Sequence, residues 1–194
     1  MIYQEFFVDS TKNGVSNNSI IFIYIALSVF SATIISYFIP QKFDLFYIYF
    51  LIWFGCFSIF FIIFKGKIIK SLYIIRNRIK KSTSWPTSMK IINGICWAGP
   101  FGLGALIPSL HEYLILAGIG FGNISTFIIF LSNNKIKNID QLIVGVISII
   151  SIGIIILLYD GKVIDKSYGE FLARILISIA YGIGGIYSAL IKPD

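Results

Sequence analysis

The sequence predicts an all-α fold, a polytopic bundle of six transmembrane helices. Charged residues make up only 13% of its 194 residues, against 57% hydrophobic and 16% aromatic. A soluble domain carries about 25% charged residues, so this chain lacks the polar groups to clothe a water-facing surface. Its apolar residues gather into six stretches close to the roughly 20 residues that a helix needs to cross about 30 Å of hydrocarbon. The runs are continuous rather than alternating with period two, which predicts helices and not a barrel.

Residues 1–18 form a polar tail whose one basic residue is Lys12. The tail lacks the basic flank and small-residue cleavage site of a secretory leader, so the first stretch, Ser19–Ile39, is expected to be a retained span. Asp44–Phe64 follows, and residues 19–64 together read as a Phe-rich hairpin. Ile91–Ile107 is short and holds Pro100, which makes a re-entrant segment its alternative. Tyr113–Ser132, Gln141–Tyr159 and Phe171–Ile191 complete the set.

Orientation follows from the 16 Lys and Arg. With the N-terminus inside, the inner side receives 12 of them and the outer side Lys42, Lys162 and Lys166, with Arg174 a turn inside the sixth span. That bias predicts an N-in, C-in topology.

Composition divides the chain near residue 90. Thirteen of 18 Phe precede residue 65, while 14 of 17 Gly lie from residue 91 onward. Glycine lets helix backbones approach where no hydrophobic effect drives them together. Small residues four apart recur at Gly94, Ala98 and Gly102, at Gly118 and Gly122, and at Ala180, Gly184 and Ser188. Residues 91–194 are therefore expected to be a Gly-rich four-helix core, with helices 1 and 2 as a looser flank. Phe101-Gly102-Leu103-Gly104-Ala105 also echoes Tyr181-Gly182-Ile183-Gly184-Gly185. The echo reads either as chance in a Gly-rich chain or as a weak 3+3 inverted repeat of the kind found in secondary transporters.

Catalytic material is scarce. One histidine and two distant cysteines supply neither haem ligation nor a zinc site, so no metal and no cofactor is expected, and no Ser-His or Cys-His pair is in view. Polar groups inside spans carry the functional expectations, because each is costly unless paired or hydrated. Asn123, at the middle of the fourth span, and Thr126 beside it are candidates to contact a solute or, alternatively, to bond neighbouring helices. His111 and Glu112 stand at the start of that span as boundary groups or a proton-responsive pair. Glu170 and Arg174, spaced i, i+4, are expected to pair on the surface of the sixth helix.

Residues 65–90 hold eight cations and no acid. They read either as a topogenic loop or as an interfacial helix whose Lys67, Lys70, Arg76, Arg78, Lys80 and Lys81 meet anionic lipid headgroups. Nucleic acid is not an expected partner, since one basic loop supplies no fold for it. Two functions stay open on the sequence alone. One is a small-solute transporter or permease. The other is a non-catalytic accessory or structural subunit of a larger membrane complex, and partners in either case are the bilayer, other subunits or further copies of the chain.

Overall fold

The computed structural model describes residues 17–39, 46–81, 85–134 and 137–190. All regular structure among them is helical: α1 (Asn17–Phe38), α2 (Phe46–Lys81), α3 (Thr87–Leu106), α4 (His111–Asn134), α5 (Ile139–Asp160) and α6 (Lys166–Leu190), with a 3₁₀ turn at Pro108–Leu110. Five of these helices are long and apolar enough to cross a membrane; α3 is the exception. Lys12, Lys42, Lys135 and Lys192 lie outside the described residues.

Side-by-side packing follows the order α2, α1, α6, α5, α4, α3, with a further contact between α4 and α6. Neighbours along the row run antiparallel, so the C-terminal ends of α1, α3 and α5 share one end of the bundle with the N-terminal ends of α2, α4 and α6. The buried core joins Phe22 and Val29 of α1, Leu116 of α4, Val144 and Ile155 of α5, and Ile177 and Tyr181 of α6. Helix α1 therefore belongs to the core, and the flanks are α2 and α3. The division by composition near residue 90 groups α1 with α2 instead. The chain's first and last helices seal the centre because α6 presents small residues to α1. A Cβ on Gly185 would lie 3.1 Å from Ile23 N and 3.2 Å from the Ser19 carbonyl oxygen.

The same row bears on the internal echo. At matched positions, Gly102 has open space and Gly182 meets only Ala26 at 3.9 Å, while Gly104 and Gly184 each meet a neighbouring helix or turn. In addition, α5 packs on α6, while α2 and α3 stand at opposite ends of the row. The helices that would correspond in two repeats thus pack differently.

Helix α3 turns the rings of Trp97 and Phe101 to α4. Asn93, Trp97, Phe101 and Gly104 recur at about one helical turn and make one face. Along it, the Trp97 ring covers Gly122 and the Phe101 ring covers Gly118. Gly94 and Gly102, one residue later and so about 100° around the helix, have nothing within 4 Å of a built Cβ. The expected small-residue seam of α3 is therefore an exposed stripe, and the close approach is ring on glycine. Helix α3 also runs through Pro100, which cannot donate to the carbonyl a turn earlier.

Elsewhere the interior is lined by small hydroxyls that bond their own helix. Ser28 donates to Tyr24 O at 2.8 Å, Thr33 to Val29 O at 2.7 Å and Ser148 to Val144 O at 2.8 Å. Ser178 instead reaches across to Ala26 O at 2.8 Å, tying α6 to α1. The outside is apolar to the opposite extreme: Leu106 is 78% exposed, Leu190 77% and Leu157 75%. Leaving such a side chain in water forgoes about 1.5–3 kcal/mol, so a surface of this kind suits hydrocarbon.

The segment from Lys65 to Lys81 is not a loop. It continues α2 as one helix of 36 residues, about 54 Å at 1.5 Å per residue, well beyond the hydrocarbon thickness.

Candidate functional site

The most developed polar site lies at the end of the bundle where α4 and α6 begin. A cavity of about 620 Å³ opens there between the ends of α3, α4, α5 and α6. Two turns shape it. Ile107 ends α3 with its N–H bonded to Leu103 O at 2.8 Å, and the Pro108–Leu110 turn delivers His111 to the start of α4. On the other side α5 closes at Gly161, Lys162 takes the left-handed conformation at φ 55°, and Val163 N–H bonds Leu158 O at 3.0 Å. That arrangement, with Lys162 N–H on Tyr159 O at 3.0 Å, is a Schellman end and turns the chain toward Lys166.

Five ionisable side chains line the cavity: His111, Glu112, Lys166, Glu170 and Arg174. Glu112 is 9% exposed and accepts from Arg174, whose Nε donates to Glu112 Oε1 at 3.0 Å and whose Nη2 bonds the same oxygen. His111 Nδ1 stands 3.9 Å from that oxygen as well. Trp53 of α2 carries the guanidinium over its ring at 5.9 Å from the centroid, a distance that allows cation–π attraction. The second carboxylate oxygen, Glu112 Oε2, is buried without a hydrogen-bond partner. An acceptor left in that state costs about 1–3 kcal/mol, more for a charged group.

The i, i+4 pairing of Glu170 with Arg174 is overturned. Glu170 faces Lys166 instead, at 3.9 Å, and Arg174 crosses to α4. Sequence spacing favoured the local partner. The parallel contact of α4 with α6 brings a more buried carboxylate within reach, where the attraction is less screened. The His111 side chain is 53% exposed, whereas that of Glu112 is turned inward at 11%.

Asn123 and Thr126 lie deeper. They are 11 and 14 residues beyond Glu112 on one helix, so roughly 16 and 21 Å farther along its axis. Neither lines the cavity. Asn123 is 2% exposed, donates from Nδ2 to Ile119 O at 2.8 Å and lies beside the Tyr181 hydroxyl of α6. Thr126 accepts from Trp97 Nε1 at 3.2 Å, and its hydroxyl has Asn93 Oδ1 at 3.0 Å and Gly122 O at 2.7 Å as alternative acceptors. Ser125 donates to the same Asn93 oxygen at 2.7 Å. Asn93 thus organises a polar knot between α3 and α4, although by sequence position it reads as a boundary residue. What marks it in sequence is its place one turn before Trp97 and two before Phe101.

The predicted headgroup cations lie along the extension of α2. Lys67, Lys70 and Arg76 are exposed there, while the side chains of Arg78, Lys80 and Lys81 fall outside the described residues. Cys56 and Cys96 are free thiols. Among the described residues no three His, Cys, Asp or Glu side chains converge on a point that could hold a metal ion.

No family model matches the chain, and neither curated proteins nor solved structures yield a match to it.

Proposed function

We propose that this chain is a small-solute permease of the multi-pass membrane class, and that its solute enters at the cavity between α3, α4, α5 and α6. One observation carries the reading: a cavity of about 620 Å³, within the usual size of a small-molecule site, ends on a buried carboxylate–guanidinium pair. Ionisable groups at a membrane boundary that face a cavity and not lipid are the common mark of a solute or ion pathway. The route beyond it would follow the contact of α4 with α6, where Asn123 and Tyr181 form the next polar step.

Positive-inside bias supports placing the cavity on the outer face of a cytoplasmic membrane, with both termini inside. The extension of α2 then emerges in the cytoplasm, where Lys67, Lys70 and Arg76 are suited to anionic headgroups at about 1 kcal/mol each.

A second reading rests on α2. Only 6% of its most apolar window is buried, so it offers an apolar flank to another membrane chain as readily as to lipid. In that case the protein is an accessory subunit and the cavity is incidental.

Proteoliposomes separate the two. Vesicles holding the purified chain, incubated with a defined mixture of amino acids, organic acids, sugars and amines, should accumulate at least one compound that protein-free vesicles do not. No enrichment, together with isolation in mild detergent as a stable complex with other membrane chains, would replace the permease reading with the accessory one.

A further inference from the structure

We infer that the cavity recognises a small zwitterion carrying a protonated amine, such as a free amino acid, with the amine donating to Glu112 Oε2. This rests on the solute-binding reading of the cavity and names its ligand class.

The charge of the lining leads to it. Leaving His111 aside, two carboxylates, Glu112 and Glu170, face two cations, Lys166 and Arg174. Each carboxylate already has a cationic neighbour. A solute of net charge would bring an uncompensated charge into a half-enclosed site at the edge of a low-dielectric slab, where desolvation is costly. A zwitterion adds none, and its two ends can be sorted by groups of both signs.

Hydrogen bonding fixes which end goes where. Arg174 spends Nε and Nη2 on one oxygen of Glu112, a residue of the cavity lining, and leaves its other oxygen, Oε2, buried without a hydrogen-bond partner. Oε2 is an acceptor only and is satisfied by an N–H or O–H donor. A protonated amine is the donor that also carries charge toward a carboxylate, so the bond is charge-assisted and short. The solute's own carboxylate is then directed to the lip, where Lys166 has a side chain 64% exposed and stands 3.9 Å from Glu170.

The test uses the full chain in nanodiscs and calorimetric titration with glycine, L-alanine and L-leucine. At least one should bind. The N-trimethyl form of that same compound keeps both charges but has no N–H to donate, and it should bind about tenfold or more weakly, the loss of one charge-assisted hydrogen bond. Lys166→Gln, which leaves the buried pair intact, should weaken the amino acid severalfold and leave the matching simple amine unchanged. Glu112→Gln should abolish the preference for the N–H form. Equal binding of amino acid and trimethyl analogue would overturn the inference, as would binding confined to anionic or uncharged members of the solute mixture, with solute entry itself standing. Absence of binding by every compound in the mixture would remove both.

Discussion

Arg174 shows how little of a buried charge's fate is written beside it in sequence. Its nearest acid by helical spacing is Glu170, yet the acid it holds is Glu112, 62 residues away. Glu112 offers a carboxylate that is 11% exposed at the side chain, against 40% for Glu170. Removing one member of a buried pair strands the other, at about 3–5 kcal/mol. Arg174→Gln should therefore lower thermal stability in detergent markedly. The joint replacement of Glu112 and Arg174 by Leu should recover most of the loss, because two apolar side chains carry no desolvation debt. If the single and double variants melt together well below the parent, the pair is not the source of the loss. Asn93 and Asn123 teach a related point: both polar groups were visible in the sequence, but their neighbours, Ser125 and Thr126 for one and Tyr181 for the other, follow from helix rotation.

Among elements, the glycines of the second half of the chain separate into those that seat a neighbour and those that face outward. A Cβ on Gly145 would come 2.9 Å from Gly120 O and 3.1 Å from Ile124 N, both backbone atoms of α4 that cannot swing aside. Gly94 has open space. Gly145→Ala should thus destabilise by about 1–3 kcal/mol through overpacking. Gly94→Ala should be neutral or stabilise by about 0.5–1 kcal/mol through helix propensity. Melting temperatures of the two variants in one detergent settle the contrast, and equal shifts would contradict the assignment of faces. Composition counted both glycines alike, and the four-residue spacing that marked Gly94 defines a stripe on a helix but not the direction in which the stripe points. The α2 helix is a similar case. Its cations were plain in sequence, which left a loop and an interfacial helix as alternatives, and the structure continues α2 as one helix to Lys81.

For the whole molecule, antiparallel neighbours place the cavity and the Lys-rich extension of α2 at opposite ends. With the termini inside, a thiol introduced at the cavity mouth should be reachable from outside. In a variant with Cys56 and Cys96 replaced by Ala, Ser109→Cys should react with a membrane-impermeant maleimide on intact cells. Lys70→Cys should react only after the cells are opened. The reverse pattern would invert the topology, and with it the side from which solute enters.

Sequence by itself determined the solvent, the helical character and the approximate segments. Those properties are local sums: twenty apolar residues in a row require hydrocarbon and an internally bonded backbone, whatever their neighbours do. It also put the solute-contact expectation on Asn123 and Thr126, and kept His111 and Glu112 as boundary groups. Tertiary structure alone decided that α1 joins the core beside α6, that α3 turns its rings and not Gly94 or Gly102 to α4, and that Glu112 meets Arg174 rather than leaving it to Glu170. Each of these depends on how a helix is rotated about its axis. In a bundle where lipid is as apolar as the interior, hydrophobicity does not fix that angle, and close packing and hydrogen bonds do.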